Sequence, residues 1–160
     1  MGWKKIYFFI ILNLMASILI SCSIFGSSAS NSFENLSEDL SNLSNKLNSF
    51  NNGYAAEDLR TASGKVSSAT IDNQEIETAL HLASLHIFAA ENAITSDAVF
   101  DKRLIPLVLG IVQRSLYDAS RDLDNASDIA NSNGHPRVSR LLYEAGESIL
   151  DAAGAINGRN

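Results

Sequence analysis

The sequence predicts an all-α protein, an antiparallel bundle of four or five helices. Beyond residue 32, apolar residues recur at steps of three and four, the spacing that buries one side of a helix. The β-branched and aromatic residues do not form the alternating runs that are typical of strands. Proline occurs only twice in 160 residues, at Pro106 and Pro136. Three predicted helices of about 20–25 residues, joined by short connections, favour antiparallel neighbours.

The first predicted helix carries an unbroken apolar seam. Its side chains follow a 3-4-3-4-3 spacing: Phe33, Leu36, Leu40, Leu43, Leu47 and Phe50. The residues between them are mostly serine and asparagine, which form helices poorly, so this helix needs its seam to be buried. The pattern favours packing inside the bundle. It leaves open self-association with a second copy through the same seam, or a mobile amphipathic segment. Asn51-Asn52-Gly53 ends the helix with residues typical of turns.

Two further amphipathic helices follow. Leu59, Ala62, Val66 and Ala69 mark a short second helix. Asp72 is predicted to cap the third helix, with Glu75 in the capping-box position. The inward stripe of that third helix is Ile76, Leu80, Ala83, Ile87, Ala90 and Ile94. Its alanines allow neighbouring backbones to approach closely.

The stretch from Leu104 to Val112 is apolar on nearly every side, and we predict that it is the most buried part of the chain. Pro106 either begins a helix there or kinks a helix that starts near Asp97, because proline lacks the amide proton and has a fixed φ. An apolar cavity between helices is a common ligand site in bundles. The candidate lining residues are Leu104, Leu107, Val108 and Ile111.

The last part of the chain predicts two clearly amphipathic helices. The inward residues of the first are Leu116, Ala119, Leu123, Ala126 and Ala130, while Asp118 and Asp122 face solvent. Asn133-Gly134 ends that helix, and Pro136 begins the next at a position that proline favours. The final apolar stripe is Val138, Leu141, Leu142, Ala145, Ile149, Ala152 and Ile156.

The N-terminus has the organisation of a secretory signal. Lys4 and Lys5 form a short basic region, and residues 6–20 are apolar apart from Asn13 and Ser17. As a helix, this run would reach about 22 Å, which is short of the ~30 Å hydrocarbon core of a bilayer. A basic start, a short apolar run and a small residue at its end favour a cleaved signal over a stable spanning helix. An uncleaved N-terminal anchor is the alternative.

Leu19-Ile20-Ser21-Cys22 resembles the lipobox of bacterial lipoproteins. The resemblance implies transfer of diacylglycerol to the Cys22 thiol and cleavage before it, so that residues 1–21 are a signal peptide. Residues 22–32 would then be the lipidated cysteine and a flexible tether, and residues 33–157 the helical domain. With Ser23 after the cysteine, the resemblance implies sorting to the outer membrane, facing the periplasm. Cys22 is the only cysteine, so no disulfide can form within the chain.

The charge of the chain limits its partners. Removing residues 1–21 takes away Lys4 and Lys5 and leaves ten basic side chains against 18 acidic ones, a net charge of −8. So negative a surface repels phosphate, and no basic stripe is present to offset it. We therefore expect no nucleic-acid binding and no electrostatic docking on anionic lipid.

No catalytic or metal-binding constellation is recognisable in the sequence. His81 and His86 are separated by about 140° around a helix and do not converge on one ligand. The acidic residues near Asp118 and Asp122 alternate with Arg114 and Arg121, as on a solvated, charge-balanced helix face. Nucleophile motifs and glycine-rich phosphate loops are missing. We expect neither an enzyme nor a protein with a metal or another cofactor.

These observations predict a membrane-tethered structural or protein-interaction module of the cell envelope. Lipid on Cys22 would hold the domain at the membrane. An exposed helix face, with Asp118 and Asp122 as candidate contact residues, would meet an envelope protein. The alternative function is that of a carrier, which holds a small apolar ligand in the cavity between helices described above.

Overall fold

In a computed structural model, the chain is described over residues 30–95 and 101–156. These residues form five helices, which are α1 (Ser30–Ser49), α2 (Gly53–Ser68), α3 (Gln74–Thr95), α4 (Ile105–Ser132) and α5 (Pro136–Ala155). No strand occurs in the two described ranges, so the all-α prediction is confirmed. The predicted signal peptide and lipobox lie outside the described residues. The first helix begins at Ser30, inside the segment predicted to be tether.

The helix ends follow local side-chain and backbone chemistry. The Asn73 side chain accepts hydrogen bonds from the backbone N–H groups of Glu75 and Ile76, at 3.0 and 3.1 Å. Asn73 therefore caps α3, and the prediction of Asp72 with a capping box was wrong by one residue. Pro106 lies in the first turn of α4, so it begins a helix and kinks none. Gly134, between α4 and α5, has φ of 79°, a conformation that favours glycine.

The five helices form a closed ring in the order α1, α2, α5, α4, α3 and back to α1. Helices that follow one another along the chain run antiparallel. A ring of five cannot alternate direction all the way round, so at least one neighbouring pair must be parallel. That pair is α1 and α3. Asp39 pairs with Ser84 and Lys46 pairs with Glu91, and both pairs are 45 residues apart, so the two helices run in the same direction.

The core fills the centre of this ring. Its fully buried large side chains come from all five helices and include Leu36, Leu40, Leu43, Leu47, Leu59, Ile76, Leu80, Ile87, Leu116, Leu123, Leu142 and Ile149. The α1 seam is therefore packed inside its own chain, with Phe33 buried and Phe50 partly buried at its two ends. Burial of the seam supports packing within the bundle. In this fold, self-association through the seam would require α1 to leave the core.

Serine hydroxyls form hydrogen bonds between α1 and α2 and between α4 and α5. Between α1 and α2, the Ser37 hydroxyl donates to the carbonyl of Ser63 and the Ser63 hydroxyl donates to the carbonyl of Ser37. Between α4 and α5, the Ser127 hydroxyl donates to the carbonyl of Ser139 at 2.9 Å. These small side chains satisfy their own polar groups on the partner backbone, so the helices approach closely without leaving a buried donor unpaired.

The prediction that residues 104–112 are the most buried part of the chain was wrong. Val108 is 5% exposed and belongs to the core, but Leu107 is 46% exposed and Pro106 and Gly110 are exposed as well. The side chain of Gln113 donates to the carbonyl of Ala153 near the end of α5, which places the first turns of α4 beyond that end. None of the other described helices covers the outer sides of the apolar residues there.

Candidate functional surface

The predicted contact residues Asp118 and Asp122 lie on the side of α4 that faces α3, and neither forms an open acidic patch. One oxygen of Asp118 lies 3.3 Å from Nε of Arg114, and the other lies 3.6 Å from a terminal nitrogen of Arg121. Its charge is therefore balanced within α4. A pair whose arginines are exposed to solvent in this way contributes little to stability, about 0–1 kcal/mol.

Asp122 is in contact with His86 across the α3–α4 boundary. Oδ2 of Asp122 lies 3.4 Å from Nε2 of His86 and accepts no hydrogen bond from the described residues. Burial raises the pKa of the Asp122 carboxyl above its usual range, and the nearby His86 and Arg121 oppose that rise. This carboxylate therefore belongs to the packing between two helices.

The parallel pair α1 and α3 has its own polar contacts. The Ser84 hydroxyl donates to Oδ2 of Asp39, and Nζ of Lys46 lies 3.6 Å from Oε1 of Glu91. Burial raises the pKa of both carboxyls, Asp39 against the Ser84 hydrogen bond and Glu91 against the positive charge of Lys46. Each carboxylate is occupied with one partner on the neighbouring helix, which makes these contacts structural.

The described residues hold no group of three or more histidine, cysteine, aspartate or glutamate side chains placed to bind a metal ion. His86 contacts Asp122, whereas His81 lies half-buried further round α3, so the two histidines do not converge. Of the carboxylates with raised pKa described above, Asp39 and Glu91 lie on the α1–α3 boundary and Asp122 lies on the α3–α4 boundary. None of the helices in the described ranges is long and apolar enough to cross a membrane.

The four residues proposed to line a ligand cavity do not face a common interior. Val108 is in the core, Leu104 and Ile111 are partly exposed, and Leu107 is 46% exposed. They lie at successive positions around the first turns of α4. The structure therefore distributes these side chains between the core and the surface.

The side of α3 that points away from the core is the largest departure from the predicted pattern. We call it the α3 outer face, and it consists of Thr78, His81, Leu82, Leu85, Phe88, Ala89 and Asn92. Leu82 is 44% exposed and Phe88 is 43% exposed, and Leu85 between them is half-buried. Counted from Thr78, four of these residues follow at steps of four, three, four and three, which is the spacing of a helix-packing seam. They are Leu82, Leu85, Ala89 and Asn92.

The α3 outer face differs from the outer faces of the other helices in charge. From Thr78 to Ala90, α3 has no acidic residue, no lysine and no arginine. The outer face of α2 carries Glu57 and Arg60, that of α4 carries Arg114 and Arg121, and that of α5 carries Arg140. An exposed apolar surface without charge is characteristic of the central part of a protein contact, where charged residues are depleted.

Sequence reasoning missed this surface because it followed the inward stripe of α3 only. The signal was present, since α3 is apolar on two opposite sides and has a gap in its charges after Glu77. A helix that is apolar on all sides is normally buried on all sides. Among the described residues, the neighbouring helices cover only the inner side of α3.

No protein-family model, no curated protein and no solved structure matches this chain.

Proposed function

We propose that the protein is a lipoprotein of the bacterial cell envelope, a membrane-tethered interaction module whose contact surface is the α3 outer face. Lipid on Cys22 holds the bundle at the outer membrane, on the periplasmic side. The protein works by position: it presents one uncharged helix face at a fixed distance from the bilayer. No bond is made or broken on the partner.

The tether follows from the resemblance of Leu19-Ile20-Ser21-Cys22 to a lipobox and from the place where the bundle begins. Ser30, where the described part of the first helix begins, comes eight residues after Cys22. Eight residues span at most about 29 Å, even fully extended. The bundle therefore stays next to the membrane, with the starts of α1, α3 and α5 at the nearer end.

The contact surface is supported by the observation that carries the proposal: Leu82 and Phe88 are exposed on an uncharged helix face of an otherwise charged bundle. Along α3, Thr78 and Asn92 are separated by about 21 Å at 1.5 Å per residue. A single helix of a partner protein could lie along a surface of that length. The predicted residues Asp118 and Asp122 lie on the neighbouring helix, where they flank this surface.

The tether is tested by intact mass spectrometry of the full-length protein extracted from bacterial membranes. We expect the wild type to begin at Cys22 and to carry acyl mass, and we expect the Cys22→Ser chain to carry none. An unmodified wild-type chain that begins at Met1 would contradict the lipoprotein assignment.

The contact surface is tested with a photoreactive amino acid placed at Leu82 or at Phe88 in living cells. We expect discrete cross-linked products at both positions. The matched control is Leu150, an exposed leucine on α5. Equal labelling at all three positions, or none at Leu82 and Phe88, would remove the α3 outer face as the contact surface.

A further inference from the structure

We infer that the partner of the α3 outer face is a second copy of this chain, bound side by side with the two α3 helices parallel. The inference rests on the proposed function for the tether, and it names the occupant of the surface. Three observations carry it: the seam spacing, the charge distribution and the direction of α1 relative to α3.

The seam spacing is self-complementary. Leu82, Leu85, Ala89 and Asn92 repeat at three and four residues, as do the positions that meet between paired helices. In a two-fold pair of parallel helices, each of these residues meets its own counterpart. The small Ala89 allows the two backbones to approach, and an amide at Asn92 can both donate to and accept from the same amide on the second copy.

The charge distribution selects this face for contact between copies. Beyond the signal peptide, each copy has a net charge of −8, so most of its surface repels another copy. Placing like charges directly opposite each other in an interface is unfavourable. Between Thr78 and Ala90, the α3 outer face has histidine as its only ionisable residue. Two copies can therefore bring these faces together without burying like charges.

The direction of α1 determines the orientation of the pair. Since α1 and α3 run in the same direction, the chain enters the bundle at the end where α3 begins. When two α3 helices pack in parallel, both Ser30 ends lie on the same side and both tethers reach the same membrane. An antiparallel pair would place the two tethers at opposite ends. Confinement to one membrane also raises the local concentration of copies, so a small interface suffices.

The test uses single cysteines in the full-length protein, in membranes of the expressing bacterium, linked by a short bis-maleimide after mild reduction. We expect Leu85→Cys and Asn92→Cys to form linked homodimers, about tenfold more than Leu150→Cys. Adding Leu82→Glu to Leu85→Cys should abolish the linked dimer. The matched addition of Leu150→Glu should leave it unchanged, and circular dichroism of each chain checks that it is folded.

Three outcomes would overturn the inference. One is absence of a Leu85→Cys homodimer, including the case in which this cysteine links to a different protein. Another is equal linking of Leu85→Cys and Leu150→Cys, which would indicate random collision. Linking at Leu85→Cys without linking at Asn92→Cys would exclude the parallel pair.

The wild-type chain separates failure of the tether from failure of self-association. Acylated Cys22 has no free thiol, so the wild type should give no linked dimer. A linked wild-type dimer would show that Cys22 is unmodified, which contradicts the lipoprotein assignment. The cysteine variants are then repeated with Cys22→Ser, and self-association is judged from those chains by the same criteria.

Discussion

The outer faces of α3 and α4 lie next to each other and have opposite characters. On α4, the exposed Arg114 and Arg121 pair with the half-buried Asp118 beside them, so the charge of the α4 outer face is balanced within one helix. On α3, Leu82 and Phe88 are exposed and the residues around them are uncharged. Both helices bury an apolar stripe in the same core. Burial of one side of a helix therefore does not determine whether its other side is charged or apolar.

The difference shows where a functional surface can be recognised in a helical bundle. A charged outer face is what an amphipathic helix needs for solubility, and it carries little further information. An apolar outer face has no such role and exposes hydrophobic surface to water. This difference is the reason why the proposed function places the contact on α3 and not on the charged outer face of α4.

The largest effect on the free energy of unfolding is expected when a residue on the inner side of α3 is compared with one on its outer face. Leu80 is fully buried and Leu82 is 44% exposed, on the same helix two residues apart. We expect Leu80→Ala to lower the free energy of unfolding by about 2–5 kcal/mol, because it leaves a cavity in the core. Leu82→Ala should change it by less than about 0.5 kcal/mol. Urea unfolding followed by circular dichroism measures both, and similar losses would show that the α3 outer face is part of the core.

A smaller effect is expected at the boundary between α4 and α5. A Cβ added at Gly146 would lie 3.1 Å from Oδ1 of Asp124 and 3.3 Å from the carbonyl oxygen of Ser120. Gly146→Ala should therefore lower stability by about 1–3 kcal/mol, since the backbone of Ser120 must shift.

Gly64 in α2 is the control for that substitution, because nothing lies within 4 Å of an added Cβ there. Gly64→Ala should raise stability by about 0.5–1 kcal/mol, through the lower flexibility of alanine in the unfolded chain. A stabilising Gly146→Ala would show that α4 and α5 are less closely packed than described.

The contact between Asp122 of α4 and His86 of α3 should give a smaller effect on the free energy of unfolding, one that depends on pH. Burial raises the pKa of Asp122, so in the window above the usual aspartate pKa the folded chain binds more protons than the unfolded one. The stability linked to Asp122 is therefore present at acidic pH and is lost as the pH rises through its folded pKa. We expect Asp122→Asn to be more stable than the wild type near neutral pH, with the difference shrinking toward about pH 4.

Glu144 supplies a control of opposite sign for the pH experiment. The hydrogen bond and charge of Lys65 lower the pKa of Glu144, so its contribution is present at neutral pH and is lost on acidification. Glu144→Gln should therefore be less stable than the wild type near neutral pH, with the difference also shrinking in acid. Melting temperatures across the pH range measure both variants. The same sign for both would contradict the described contacts.

The smallest effect on the free energy of unfolding is expected at the ion pairs of Asp118. Asp118→Asn removes pairs whose arginine partners are exposed to solvent, and it should change the free energy of unfolding by about 0–1 kcal/mol, less in high salt. It should also leave the linking of Leu85→Cys unchanged. Loss of that link would extend the contact surface from α3 onto α4.

Much of the fold could be predicted from the sequence, because helix periodicity is a local property. The α1 seam from Phe33 to Phe50 predicted a buried stripe, and all of its six residues except Phe50 are buried. Pro136 and Gly134 correctly predicted where α5 begins and α4 ends. Local chemistry was less decisive for α3, where Asp72 and Asn73 are both good caps and only the backbone geometry selects Asn73.

The errors about exposure have one physical cause, which is that the type of a residue does not indicate which neighbouring helices surround it. Residues 104–112 are apolar on nearly every side but extend past the end of α5, so Leu107 is exposed. Asp122 resembled a solvated residue in the sequence, but it is enclosed by the contact between α3 and α4.

The sequence by itself determined that the chain is helical, which side of most helices faces the core, and that the N-terminus resembles a lipoprotein signal. Those properties depend on the identity and spacing of residues within a few turns. The tertiary structure alone decided that α1 and α3 are parallel and that the other described helices leave the α3 outer face uncovered. Both follow from closing five helices into a ring, since the closure sets which helices become neighbours and no local pattern encodes it.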